Sequence, residues 1–470
     1  MTSKENLEKL KYSTKEVYSK ITAEQRREML GLCDEYMTFL DNGKTERECD
    51  KTAIEMAEKQ GFVKFSDKKS LKAVDKVYFV NMKKNLMLAV LGSDDIENGI
   101  NVVGAHIDSP RLDLKQNPLY ESNGQALLKT HYYGGIKKYQ WTAIPLSIHG
   151  VCYTGDGKQV EICIGEEDND PVFCITDLLP HLAREQMSKK LSEAIEGESL
   201  NILVGGMGVN DCEIESSIKM NVLNILNIAY GIDEESFLSA ELEIVPSFKA
   251  KNVGLDMSFV GAYGQDDRVC AFTALKSIFD IENPQKTAVC LLVDKEEIGS
   301  EGNTGMMSKF FDMAVAELIK KLTGACDMVT YNKVIRNSTC MSSDVSAAFD
   351  PNYDGVFEKQ NSAFAGKGIA IMKYTGAGGK SGSSDASSEF LHDILTVMNK
   401  NGVIWQSCEL GKVDKGGGGT IAKYVANLNM NVIDCGVPVL SMHSPFEVTA
   451  KGDIYMAYKA YLAFYKDFNN

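Results

Sequence analysis

The chain has 470 residues, with 50 basic and 65 acidic side chains and a formal net charge of −15. A chain of this length exceeds one ordinary hydrophobic core and predicts two or three domains. The acidic balance argues against nucleic acid or an anionic membrane as the main partner. With no signal-peptide pattern and no apolar run long enough to span a bilayer, we expect a cytoplasmic protein.

Twelve cysteines are scattered along the chain without any C-x-x-C spacing. In a chain without a secretion signal, this pattern predicts reduced thiols and small buried side chains. It does not favour disulfides or a zinc ribbon.

Two capping boxes open the ordered part of the chain. Thr22 and Thr45 are each followed three residues later by Gln or Glu, which predicts two helices that end near Gly43 and Gly61. We interpret both helices as scaffold.

A predicted strand over residues 100–103 leads into the segment GAHIDSPRLDLK. His106 and Asp108 lie two residues apart in that segment, so both side chains point to one side of an extended chain. A neutral imidazole is a good metal ligand, and a carboxylate at this offset can orient it.

The chain changes character over residues 116–248, where strand ends no longer carry acidic or metal-type side chains. We interpret this stretch as an inserted domain. One larger domain is then expected from residues 1–115 and 249–470.

The earlier pattern resumes after residue 249. Asp266 and Asp267 begin a predicted helix, where carboxylates meet the positive end of the helix dipole. The unbroken apolar run of residues 288–293 predicts a buried parallel strand, and Glu296 and Glu297 follow it at the edge where α/β sheets bind ligands.

Two further candidates lie in similar places. Asp344 occupies a turn of small residues, and His443 follows a predicted strand over residues 437–440. Alone, each candidate favours an ordinary interpretation as a loop, a helix cap or a solvated acidic pair. Together they supply nitrogen and oxygen ligands without a cysteine, which suits zinc, manganese or cobalt and a pair of ions.

A phosphate loop is the competing interpretation of residues 379–381, Gly-Lys-Ser. That motif requires a glycine where this chain has Tyr374. The glycine run over residues 416–419 has no lysine directly after it. We interpret both glycine stretches as flexible backbone that passes close to a ligand or a neighbour.

Six ordered motifs resemble the M18 family of metallo-aminopeptidases, the aspartyl aminopeptidase group: GAHIDSPRLDLK, DDRVCA, DKEEIGSEG, SSDVSAA with NYD, GGGGTIA and MHSPFEV. The resemblance implies a phosphorylase/hydrolase-like α/β catalytic domain, with a central mixed sheet flanked by helices, in residues 1–115 and 249–470. It also implies that residues 116–248 are an inserted α+β dimerisation domain and that dimers assemble into a homo-oligomer, a tetrahedral dodecamer.

The resemblance also implies roles for individual residues. Asp266 would bridge two zinc ions, with Co²⁺ or Mn²⁺ as alternatives; His106 and Asp344 would complete one site, and Glu297 and His443 the other. Glu296 would be the general base, Asp108 would orient His106, Asp267 would follow the bridge through a cis peptide, and His181 would reach a neighbouring subunit's active site to stabilise the oxyanion.

The expected activity is therefore release of N-terminal residues from peptides. Family branches differ between acidic Asp or Glu and neutral residues, and Lys373 and Lys380 are the candidates to hold an acidic side chain. Two alternatives remain open at this point: a metal-dependent deacylase or other amidohydrolase on the same scaffold, and a non-catalytic oligomeric shell.

Overall fold

The computed structural model describes residues 6, 8, 10–210 and 214–468. The α-helices named here are α1 Val17–Lys20, α2 Ala23–Asn42, α3 Glu46–Lys59, α4 Arg184–Ser188, α5 Leu191–Ala194, α6 Ser217–Tyr230, α7 Gln265–Phe279, α8 Phe310–Thr323, α9 Met328–Arg336, α10 Ser388–Lys400, α11 Ala422–Ala426 and α12 Lys451–Asp467. The strands are β1 Val63–Lys64, β2 Lys76–Asn81, β3 Asn85–Val90, β4 Ile100–His106, β5 Arg111–Ser122, β6 Gln125–Tyr133, β7 Leu146–Tyr153, β8 Gln159–Ile164, β9 Ile202–Gly205, β10 Glu241–Pro246, β11 Lys251–Val253, β12 Phe259–Ala262, β13 Thr287–Val293, β14 Thr339–Ser342, β15 Ser346–Ala347, β16 Ile369–Met372, β17 Gly376–Ala377, β18 Trp405–Ser407, β19 Gly417–Gly418, β20 Asn431–Gly436, β21 Pro438–Leu440 and β22 Glu447–Ala450.

A mixed sheet of nine strands forms the centre of the molecule, in the order β1-β2-β3-β13-β4-β14-β20-β16-β18. Strand β4 lies between β13 and β14 and is parallel to both, whereas β3 runs antiparallel to β13. The ends of β13, β4 and β14 therefore meet at the same edge of the sheet.

Helices cover both faces of this sheet. Side chains of α2, α3, α7, α10 and α12 form one buried cluster with the sheet, and side chains of α8, α9 and α11 form the other. Successive residues of β13 alternate between the two clusters, because neighbouring side chains of a strand point to opposite faces. Burial on both faces explains why residues 288–293 are apolar at every position.

A second sheet of six antiparallel strands has the order β8-β7-β10-β5-β6-β9 and is formed by residues 111–246. It has its own buried cluster, which includes Trp141 and Leu200. The predicted start of the insert, residue 116, lies inside β5, since this strand already begins at Arg111.

Two smaller sheets complete the fold. One has the order β11-β12-β22-β21-β15, and the other pairs β17 with β19. Both predicted capping boxes are present, with the side chains of Thr22 and Thr45 each accepting the backbone N–H three residues later. Among the described residues, no helix is both long and apolar enough to cross a bilayer, and the eleven cysteines in this part are free.

Candidate active site

The central sheet brings three predicted site segments to one edge. His106 is the last residue of β4 and lies opposite Val293, the last residue of β13. Glu296 and Glu297 occupy the turn directly after β13, and Asp344 follows β14 by two residues. Parallel pairing of these strands makes the three segments neighbours.

Two other segments meet this edge from outside the sheet. Asp266 lies in the first turn of α7, and the peptide bond between Asp266 and Asp267 is cis. His443 lies between β21 and β22 in the five-stranded sheet. The site therefore combines residues separated by more than three hundred positions in the chain.

Asp266 is at the centre of the group. One of its oxygens, Oδ1, is 3.2 Å from His106 Nε2, and the other, Oδ2, is 3.2 Å from His443 Nε2. Glu297 Oε1 lies 3.5 Å from His443 Nε2. Asp344 has a carboxylate oxygen within 4.8 Å of ligand atoms of both Asp266 and His106. Four of the five predicted ligands are thus gathered around the carboxylate of the fifth, Asp266.

The electrostatics of the group favour a divalent cation. Burial raises the pKa of Glu297 and Asp344 well above the usual range, and neighbouring carboxylates raise it further. Glu297 Oε1 and Asp267 Oδ1 are buried and accept no hydrogen bond. Because buried carboxylates of like charge repel one another, cations among them would stabilise their ionised form. Two imidazoles and several carboxylates without a thiolate fit zinc.

Asp108 fixes the position of the groups around it. Its Oδ1 lies 3.2 Å from His106 Nδ1, on the side of the ring away from Asp266. The same carboxylate accepts the backbone N–H groups of Glu296 and Glu297, at 3.1 and 3.2 Å. A carboxylate behind the ring sets the tautomer that leaves Nε2 free to bind a metal.

The side chain of Glu296 lies beside the five gathered ligands. Its Oε2 is 3.9 Å from His106 Nε2, and the side chain is 17% exposed at the cavity wall. Burial raises the pKa of Glu296 to about 7. A carboxyl group in this position can exchange a proton near neutral pH.

Comparison with known proteins identifies the family. The family model described as Aminopeptidase I zinc metalloprotease (M18) matches residues 39–465. The chain belongs to the M18 family of zinc metallo-aminopeptidases. A Clostridium acetobutylicum protein named probable M18 family aminopeptidase 1 is 51% identical over 454 residues, which cover 96% of this chain and 97% of that protein.

Solved structures share the fold of this chain. An M18 aminopeptidase from Thermotoga maritima has a TM-score of 0.94 and 45% identity, covering 97% of this chain and all of that chain. A more distant structure, the S. cerevisiae protein mApe1 solved as a dodecamer, has a TM-score of 0.74 and 21% identity, covering 93% of this chain and 96% of that chain.

One residue that positions the M18 site was not singled out from the sequence. The buried carboxylate of Glu447 accepts the backbone N–H of His443 at 2.7 Å through Oε1. Its other oxygen, Oε2, accepts the backbone N–H of Asp266 at 3.0 Å. Glu447 thus joins the two segments that approach from outside the sheet. It belongs to the motif MHSPFEV, but its sequence position alone gave no indication of this contact.

The six-stranded sheet also contributes to the M18 site. Tyr133 Oη donates a 2.8 Å hydrogen bond to Asp108, and the carbonyl of Gly135 accepts one of 2.9 Å from His443 Nδ1. A Cβ at Gly135 would lie 3.2 Å from His443 Nδ1, so the chain approaches the ring closely there. A pair of adjacent glycines in the sequence was the only available signal.

A cavity of about 680 Å³ opens beside the gathered ligands. Gly376, Gly378 and the glycines at 416–419 line it, and a Cβ at Gly417 would lie 2.4 Å from the carbonyl of Gly376. These glycine stretches form the closely packed antiparallel pair of β17 and β19 along the cavity rather than a phosphate loop.

Three predicted residues lie away from the metal-type ligands. Lys373 and Lys380 both bind Asp385, and only Lys380 reaches the cavity wall, where its Nζ lies 3.6 Å from the centre of the Tyr374 ring. His181 is exposed on a turn before α4 and does not line the cavity.

Proposed function

We propose that this M18 enzyme is a binuclear-metal aminopeptidase that releases N-terminal residues from peptides. The observation that carries the proposal is the position of Asp266, which directs one carboxylate oxygen toward each of two histidines. A carboxylate in this arrangement fits a bridge between two ions. His106 and Asp344 would hold one ion, and Glu297 and His443 the other.

Two zinc ions bound there, or cobalt or manganese ions, would supply Lewis acidity toward the scissile carbonyl and lower the pKa of the attacking water. Glu296 would take the proton of that water and deliver it to the leaving amine. Asp108 would keep His106 oriented, and the backbone N–H groups that it accepts would hold the turn of residues 296–297 in place.

The substrate preference follows from the cavity wall beside the ligands. Val345 directly follows Asp344, and Met442 directly precedes His443. Both line the cavity, as does the buried Met372. These three apolar side chains line the cavity beside the ligands, where an N-terminal residue would bind. Asp385 neutralises one of the two positive charges of Lys373 and Lys380, and Lys373 does not reach the cavity. We infer a preference for neutral, apolar residues over Asp or Glu.

We propose that the six-stranded sheet and its helices, predicted as residues 116–248, form a dimerisation domain on a phosphorylase/hydrolase-like catalytic domain. Large apolar side chains are exposed there, including Leu182, Met187 and Ile228. Their burial between subunits fits a homo-oligomer, and the dodecamer of yeast mApe1 supports that assembly state. His181 lies beside Leu182, in a segment that would reach a neighbouring subunit's site. The cytoplasmic location stays a prediction from the sequence.

The experiment is a rate panel with the zinc-loaded enzyme. Anilides of Leu and Met should be hydrolysed with kcat/KM at least about ten-fold above those of Asp and Glu. N-acyl amino acids should not react, because an aminopeptidase requires a free amine. A deacylase, in contrast, would cleave them. Faster cleavage of N-acyl substrates would establish the amidohydrolase alternative, and no turnover of any substrate would establish the non-catalytic shell.

A further inference from the structure

A second set of metal-type side chains lies outside the candidate active site. Glu48, His149 and Cys163 each place one ligand atom within 4.8 Å of the ligand atoms of the other two. They come from α3, β7 and β8, so they join a helix that packs on the central sheet to the six-stranded sheet.

The register of these elements fixes the three side chains. His149 and Cys163 are directly opposite each other on β7 and β8, where facing side chains are about 5 Å apart. Glu48 faces them from α3. Lys51, one turn further along α3, binds Glu161 at 3.0 Å, two residues before Cys163 on β8. The helix therefore lies along this strand, and the group does not depend on a flexible loop.

The His149 ring already has the orientation of a metal-bound imidazole. Its Nδ1 faces Glu48 Oε1 at 2.7 Å, and the opposite nitrogen, Nε2, lies 3.1 Å from Glu166 Oε1. Lys44 Nζ binds the same Glu166 oxygen at 2.7 Å. A carboxylate behind the ring is the usual support of a metal-binding histidine. It leaves Nδ1 directed at Glu48 and Cys163.

We propose that Glu48, His149 Nδ1 and Cys163 bind one zinc-class divalent cation that links α3 to the six-stranded sheet. Oxygen, nitrogen and thiolate ligands together favour zinc over magnesium or calcium, and a water would fill the fourth tetrahedral position. Two ligands at about 2.0 Å from a tetrahedral ion are roughly 3.3 Å apart. The 2.7 Å contact between Glu48 and His149 would open by a few tenths of an ångström.

Binding of a cation at this site would release protons. Burial lowers the pKa of His149, whereas hydrogen bonds to Cys163, Glu166 and Glu48 raise it, and the net result is a pKa of about 11. The cation must replace the proton on Nδ1 and the proton of the Cys163 thiol. Its apparent affinity should therefore increase as the pH rises.

The test is a cobalt titration of the full-length, metal-free protein, followed by near-ultraviolet absorption. Thiolate-to-cobalt charge transfer reports this site specifically, because the ligands gathered around Asp266 include no cysteine. Wild type should develop the band, Cys163→Ser should lose it, and the control Cys326→Ser, a change at a partly exposed cysteine elsewhere, should keep it.

Two results would overturn the proposal: no such band in wild type, or a band of undiminished intensity in Cys163→Ser. A second measurement is the zinc-dependent rise in melting temperature, which should be smaller in Cys163→Ser than in Cys326→Ser. Both variants should hydrolyse peptides at the wild-type rate. Failure of this site is thus distinguishable from failure of the proposed peptidase function.

Discussion

At the scale of single residues, Asp266 defines the candidate site, because both of its oxygens face an imidazole while its own carboxylate is fully buried. Hydrogen bonds to His106 and His443 outweigh burial and hold the pKa of Asp266 below its usual range. It is thus the carboxylate of the group most ready to stay ionised and to accept cations. The surrounding residues either share its ligands or hold them in position.

Glu296→Gln should abolish hydrolysis while the protein keeps its metal. Gln has nearly the same shape but cannot take up a proton, and loss of a general base costs about 10²- to 10⁴-fold in rate. The measurement is kcat together with metal content per chain. Glu301→Gln, at an exposed position on the same loop, is the matched control and should retain activity. Turnover of Glu296→Gln close to that of Glu301→Gln would contradict the role.

Glu447→Gln should weaken zinc binding by about 10- to 100-fold, as expected when a residue that supports metal ligands is changed. The amide keeps one acceptor and sets its NH₂ group against the backbone N–H of either His443 or Asp266. Zinc affinity is measured by competition with a chelator, alongside the melting temperature.

Asp453→Asn is the control for that experiment. Asp453 is also a buried carboxylate that accepts two backbone N–H groups, those of Gly366 and Gly368, both at 2.7 Å. The Asp453→Asn variant should be less stable than wild type but should bind zinc with the same affinity. An equal loss of zinc affinity in both variants would show that Glu447 acts only through general stability.

At the scale of elements, helix α3 has a buried acid that should make stability depend on pH. Burial raises the pKa of Asp50 to about 8, against the opposing charge of Arg47, and its Oδ1 accepts no hydrogen bond. In the unfolded protein, the pKa of an Asp side chain is about 3.9. Between these values the folded protein binds more protons than the unfolded protein. Its free energy of unfolding should therefore fall as the pH rises, by up to about 1.4 kcal/mol per pH unit.

Asp50→Asn should flatten that pH dependence. The amide cannot ionise, so the variant should melt above wild type at pH 8, and the difference should shrink toward pH 4. Melting temperatures over this range are the measurement, with Asp34→Asn at an exposed position of α2 as the control. Parallel curves for wild type and Asp50→Asn would rule out Asp50 as the cause.

Elements differ in how far the sequence predicts them. The starts of α2 and α3 can be predicted from local sequence, because each capping box is formed within four consecutive residues. The apolar run of β13 predicts a buried strand by itself, because both faces of that strand are buried. The point in the chain where the six-stranded sheet begins could not be predicted from local sequence. Strand β5 begins inside the segment that follows His106, and strand propensity does not say which sheet a strand joins.

The same distinction holds for the site. Residues at strand ends and helix starts, such as His106 and Asp266, are predictable because those positions face the ligand edge of a sheet. Tyr133 and Gly135 were missed because they reach the site only through the position of the six-stranded sheet beside the edge of the central sheet. The adjacent glycines at 134 and 135 indicate a close approach of the backbone but not which residue it approaches.

At the scale of the whole molecule, assembly should be required for full activity. Ile225 and Ile228 are exposed on α6, with 56% and 78% of their surfaces accessible, and a charge there would oppose burial between subunits. Ile228→Glu should shift the protein to smaller species in sedimentation and reduce kcat, since His181 of a neighbour would no longer complete each site. Met313→Glu, at an exposed position of α8, is the control. An Ile228→Glu protein of wild-type size would exclude α6 from the interface.

The central claim is that His106, Asp266, Glu297, Asp344 and His443 hold two cations. Anomalous X-ray scattering at the zinc edge from crystals of the zinc-loaded protein tests it most directly. The account predicts two peaks in this group, about 3.5 to 4 Å apart, with one oxygen of Asp266 directed at each. A single peak there, or zinc bound away from Asp266, would contradict it.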